Sequence, residues 1–127
     1  VLAASLVLGA GVFFWNDRLE NEASLVTLEA TYDVDACPDR TPIRVTASNT
    51  GEKTVERLVF SLHARVPGYS SVVTPYTYKQ YGSEKILSPG EEFSDCYALP
   101  PLARNQAEIF PLEELEWSAD LNKVYFQ

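Results

Sequence analysis

Histidine occurs once in this chain, methionine not at all, and only two cysteines and ten basic residues are found among 127. Each scarcity closes a class of function. A structural zinc site draws on closely spaced Cys and His pairs, which one histidine, His63, and two distant cysteines, Cys37 and Cys96, do not supply. Nucleic-acid binding needs clustered Lys and Arg to displace counterions. Here eighteen acidic residues outnumber the ten basic ones, a formal charge of -8, so nucleic acid is excluded as a partner and the charge is read as serving solubility. There is no Gly-x-Ser-x-Gly elbow to present a nucleophile, and no internal repeat, low-complexity run or glycosylation sequon.

The chain does have an uncharged start. Val1 through Trp15 carry no ionisable side chain, and the sequence turns polar at Asn16-Asp17-Arg18. As a helix these residues span roughly 22 Å, short of the roughly 30 Å of a bilayer's hydrocarbon core. Because position 1 is not Met, the segment is read as a transmembrane helix truncated at its start. Trp15 suits the headgroup level, where an indole keeps one edge wet. Ser5 and Gly9 have the small-xxx-small spacing that lets a second membrane helix approach closely. The competing reading is the core of a cleavable signal peptide ending near Gly9-Ala10-Gly11. No lipobox-type Cys follows, which sets a lipoprotein aside. Residues 16–24 read as a linker or helical extension and residues 25–127 as one domain, since that length suits a single core.

Within 25–127 the apolar residues alternate. Leu28, Ala30, Tyr32 and Val34 form one series, Ile43, Val45 and Ala47 a second, and Leu58, Phe60, Leu62, Ala64 and Val66 a third. Period two marks strands with one buried face, and Asn49-Thr50-Gly51 and Pro67-Gly68 punctuate them as turns. Shorter strands are expected at 71–74, 76–81, 85–87 and 93–99, and a last one carries Leu115, Trp117, Ala119 and Leu121. Pro100-Pro101 reads as a stiff connection towards it, and Val124 to Gln127 resembles the tail that a protease cleavage site leaves behind, a native ending being the alternative because Asn122-Lys123 do not complete such a site. Short strands at near-regular spacing argue for an all-β antiparallel sandwich. With the domain outside the cytoplasm, the pair Cys37 and Cys96 fits a disulfide, two buried free thiols being the alternative.

The stretch Ile43-Arg-Val-Thr-Ala-Ser-Asn49-Thr-Gly51, then Phe60-Ser-Leu62, then Leu87-Ser-Pro89-Gly90-Glu91 before Phe93, resembles small bacterial immunoglobulin-like domains of the FxLYD type. The likeness covers about residues 28–99, with His63 and Ala64 where the family has Tyr and Asp. It implies a seven-strand-like immunoglobulin-like sandwich that commonly hangs from a membrane segment and carries no catalytic residues.

Candidate sites are few. His63 falls out of phase with its apolar neighbours and is assigned to solvent; a Ser-His-Asp arrangement, assembled in space, is its alternative role. Asp33, Asp35 and Asp39 surround Cys37 like half a calcium loop, but the central Gly and terminal Glu are missing, and Asp33 and Asp35 are read as the wet face of the first strand. Glu113, Glu114 and Glu116 read as charge on a solvated edge strand. Four tyrosines, Tyr69, Tyr76, Tyr78 and Tyr81, share thirteen residues with one charge, Lys79. Such rings enrich interfaces, so the segment is read as a partner surface, against ordinary core and edge packing.

Together these features lead to an expected single-pass protein of the bacterial inner membrane with its main domain in the periplasm. It is expected to be no enzyme, to need no cofactor or metal, and to bind as an accessory or assembly subunit of an integral membrane protein complex, in contact with membrane lipid. A periplasmic ligand-binding or transport-accessory domain is the alternative, recognisable by an apolar pocket between the sheets.

Overall fold

Residues 24–74, 80–102 and 111–127 are described by the computed structural model. They form six strands: β1 (Val26–Tyr32), β2 (Ile43–Asn49), β3 (Val55–Arg65), β4 (Tyr81–Ser83), β5 (Glu92–Tyr97) and β6 (Glu116–Phe126), with a 3-10 turn at Leu112–Glu114. One antiparallel sheet has the order β1-β2-β5, the other β4-β3-β6. The protein is thus all-β in its described part.

The period-two pattern sets the layers. Ile43, Val45 and Ala47 of β2 are buried while Arg44, Thr46 and Ser48 between them are half-buried. On β3 the buried set is Val55, Leu58, Phe60, Leu62 and Ala64. These faces meet, with Ala30, Ile43 and Val45 of one sheet against Phe60, Leu62 and Tyr81 of the other. Phe60 stacks on Tyr81 at 5.7 Å and takes Tyr97 of the opposite sheet edge-on at 5.1 Å. Burying a ring of this size stabilises the fold by about 2–3 kcal/mol. On the outer face of the first sheet, the Thr46 and Ser94 hydroxyls are 2.8 Å apart and Ser48 Oγ donates to Glu92 at 3.1 Å.

The domain has two distinct ends. At the near end β1 begins beside the last residue of β2 (Val26 opposite Asn49), and β3 begins beside the end of β6 (Val55 opposite Phe126). Val26, Ala47, Val55, Leu58 and Leu87 close the core there, with Val124 and Phe126 packed on them. Buried Asn49 holds this end: its Nδ2 donates to the carbonyls of Lys53 (2.8 Å) and Leu87 (3.0 Å), and its Oδ1 accepts from Gly51 N–H (2.9 Å). Gly90, at φ +79°, makes the Pro89-Gly90 turn that brings its own N–H to the Asn49 carbonyl. At the far end Tyr32 pairs with Ile43 and Arg65 with Glu116.

Several boundaries differ from the sequence pattern. Val34 continues the alternation on paper, yet β1 stops at Tyr32 and Val34 is exposed in a turn. The segments 71–74 and 85–87 contribute single bridges, Val72 to Arg65 and Leu87 to Val55. The expected strand 76–81 starts outside the described residues and reaches them as β4 at Tyr81. Val124 to Phe126, read as a cleavage-site tail, belong to β6, and Gln127 N–H donates to Thr54 O at 3.0 Å. Among the described residues no helix is long and apolar enough to cross a membrane. The segment 1–15, with Ser5, Gly9 and Trp15, lies outside them.

Candidate functional site

The far end gathers the residues that sequence singled out. After β1, Asp33 turns the chain: its N–H donates to Pro42 O, its carbonyl accepts from Cys37 N–H, and its Oδ1 accepts from Ala36 N–H, each at 2.9–3.0 Å. Asp33 therefore caps a loop rather than lining the wet face of a strand, and its Oδ2 lies 3.5 Å from Arg44. The loop delivers Cys37 to the end of β5, where it is joined to Cys96 by a disulfide with Cα atoms 5.7 Å apart. The two cysteines thus tie the β1–β2 loop to the third strand of the same sheet.

Beyond β3 the chain reverses at Pro67-Gly68, where Gly68 takes φ +87°, a value a β-carbon disfavours. Tyr69 follows, its N–H donating to Val66 O at 3.0 Å and its side chain 68% exposed. The return leg lies along β3, with Val73 N–H donating to Ala64 O at 2.8 Å. Tyr76 and Tyr78 lie outside the described residues. Tyr81 does not belong to the surface expected of it. It is 6% exposed, its hydroxyl donates to Ala98 O at 2.8 Å, and its ring meets Tyr97 at 5.9 Å. Burial raises the pKa of Tyr81, and burial together with the Asp95 charge raises that of Tyr97.

His63 also departs from its expected place. Its side chain is 16% exposed, with Nδ1 3.2 Å from Thr74 Oγ1 and Nε2 3.2 Å from Asp120 Oδ2. The hydroxyl, imidazole and carboxylate come from three segments in the order of a hydrolytic triad. Their exposure runs the wrong way for one: Thr74 is 2% exposed and also accepts from Ala64 N–H at 3.4 Å, whereas the Asp120 side chain is 64% exposed. A triad hydroxyl must reach a substrate carbonyl, and this one is enclosed. The arrangement is a clamp that holds the return leg against β3 and β6.

Asp35, Asp39, Glu113, Glu114 and Glu116 are exposed, Glu113 and Glu114 within the 3-10 turn. Among the described residues no three His, Cys, Asp or Glu are placed to hold a metal ion. A groove of about 260 Å³ runs between the two edge strands β1 and β6, lined by residues 28–31 and 117–119. Sequence reasoning missed Thr74, Asp120 and this groove. Each depends on strand register, which no local signal carries.

No family model, no curated protein and no solved structure matches the chain.

Proposed function

We propose that this is a non-enzymatic, membrane-anchored binding protein, an accessory or assembly subunit of a larger integral membrane protein complex. In this reading Val1–Trp15 anchors it in the bacterial inner membrane, with Ser5 and Gly9 towards a neighbouring helix and Trp15 among the lipid headgroups. An immunoglobulin-like sandwich of the FxLYD type then stands in the periplasm. The observation that carries the reading is Tyr69, a large ring 68% exposed on a turn fixed by a backbone hydrogen bond, at the end opposite the one where the chain enters the domain. An amphipathic ring held out this way fits a partner contact. The disulfide supports an oxidising compartment. The enclosed Thr74 hydroxyl supports binding over hydrolysis. The space between the sheets, where a ligand-binding domain would keep a pocket, is occupied by Phe60, Tyr81 and Tyr97.

A photo-crosslinking residue placed at Tyr69 in native membranes tests this. The expected product is a discrete adduct with an integral membrane protein, not formed from the near-end position Ile86, which is also exposed. The proposal fails if the detergent-solubilised protein runs as a monomer and Tyr69 yields no adduct.

A further inference from the structure

The two long sides of the domain are finished differently. On one side β4 and β5 are locked together across the sheets by the Tyr81 hydroxyl on Ala98 O and by the Tyr81–Tyr97 ring contact. On the other side β1 and β6 are the outermost strands of their sheets, and among the described residues no backbone hydrogen bond joins them to each other or to a further strand. An edge strand carries a row of N–H and C=O groups on its outer side that only water or another strand can take up.

We propose that this β1/β6 seam receives an extended segment of a partner polypeptide, which pairs with the open backbone edge as an added strand. This deepens the binding role proposed above and rests on it. Three observations select the occupant. First, the edges are long, seven residues in β1 and eleven in β6, so they offer hydrogen bonds in a repeating row, the pattern an extended peptide matches and a compact ligand does not. Second, the groove has small residues where its walls come inward: Ala30 and Ala119 leave room beside Leu28, while the Trp117 ring is fixed by its Nε1–H donating to Leu112 O at 3.0 Å. Alternate apolar side chains of an incoming strand fit that space. Third, exposed Glu29 stands on the rim with no ion pair among the described residues. A Lys or Arg on the solvent face of the incoming strand answers it, as cross-strand pairs of opposite charge do. A second copy of this chain fits less well, since it brings another Glu29 and another net charge of -8.

The test titrates the isotope-labelled full chain, in detergent micelles, with a capped decapeptide alternating valine and threonine and carrying two lysines. A control peptide carries glutamate at the lysine positions. The expected result is amide shifts and slowed hydrogen exchange confined to 27–31 and 117–121, with the glutamate peptide about fivefold weaker, the factor an exposed charge reversal gives. Glu29→Lys is expected to reverse the preference, and Ala119→Leu to abolish binding to both peptides while β2 and β3, including its partner Leu62, keep their slow hydrogen exchange. The proposal is overturned if millimolar lysine peptide shifts nothing, if shifts map to the Tyr69 turn, or if Glu29→Lys leaves the preference unchanged. Concentration-dependent dimerisation that produces the same shifts without peptide also overturns it, in favour of self-pairing. An adduct at Tyr69 with no peptide at the seam would sink this inference alone, and the converse would sink only the proposed membrane partnership.

Discussion

Asn49 shows how a single polar side chain can hold one end of this fold. It joins the carbonyls of Lys53 and Leu87 to the Gly51 amide; Leu87 O also accepts from Val55 N–H at 2.9 Å, so truncation leaves two groups, Lys53 O and Gly51 N–H, without a partner. Each such group costs about 1–3 kcal/mol. Asn49→Ala is therefore expected to lower stability by about 3 kcal/mol in urea denaturation, with Asn49→Asp as damaging because it turns an acceptor towards both carbonyls. The sequence offered Asn49 only as a turn marker, since its buried partners Lys53 and Leu87 come from loops. Tyr81 was misjudged for a related reason: a tyrosine near other tyrosines reads as surface until its strand partner, Phe60, is known. Its burial has a pH consequence. With folded pKa values raised for Tyr81 and Tyr97, stability is fully present below the ordinary tyrosine value of 10.0 and is lost as pH rises, because the unfolded chain ionises first. The urea midpoint is expected to fall above that pH, and Tyr81→Phe to flatten the fall while costing about 1 kcal/mol at neutral pH through the lost bond to Ala98. An unchanged alkaline slope in that variant would refute this assignment.

Among the elements, β2 and the Leu58–Ala64 stretch of β3 were legible because each buries one face against the opposite sheet, so period two survives along it, whereas β5 has no fully buried residue and was marked only by the Pro89-Gly90 turn before Phe93. β4 was not, because three residues carry no period. β1 ends early because Asp33 offers its own backbone an alternative to the ladder, a local competition that alternation cannot report. The His63 clamp was invisible for the same reason as the groove: residues 63, 74 and 120 meet only once β3 and β6 are in register. The cysteine pair was legible from compartment and parity alone. It closes a loop of 59 residues, which on the chain-entropy argument contributes about 4 kcal/mol. The Cys37→Ala, Cys96→Ala double variant is expected to lose about that much in denaturant titration, and reductant to shift the parent by the same amount. A loss below about 1 kcal/mol would mean that the β1–β2 loop is held by Asp33 and Arg44 without the bridge.

At the scale of the whole molecule, the decisive geometry is that the chain enters at one end and presents Tyr69 at the other. Val55 and Arg65 bound β3, so at about 3.3 Å per residue the two ends lie roughly 33 Å apart. The link from Trp15 to Ser24 reaches at most about 30 Å, which keeps the near end within that distance of the headgroups if Val1–Trp15 spans the bilayer. A chain of net charge -8, all of it beyond Trp15, is repelled by anionic lipid, which disfavours lying flat on it. Tyr69 would then meet only a partner that projects well beyond the membrane surface. Spin labels on the full chain in anionic nanodiscs decide the orientation. A label at Thr50, beside the chain entry, is expected to relax strongly with a headgroup-bound paramagnetic lipid, and one at Tyr69 hardly at all, because dipolar relaxation falls steeply over roughly 33 Å. Equal relaxation at the two positions would place the domain on its side, withdraw the argument from height, and leave the Tyr69 surface facing lipid instead of a projecting subunit.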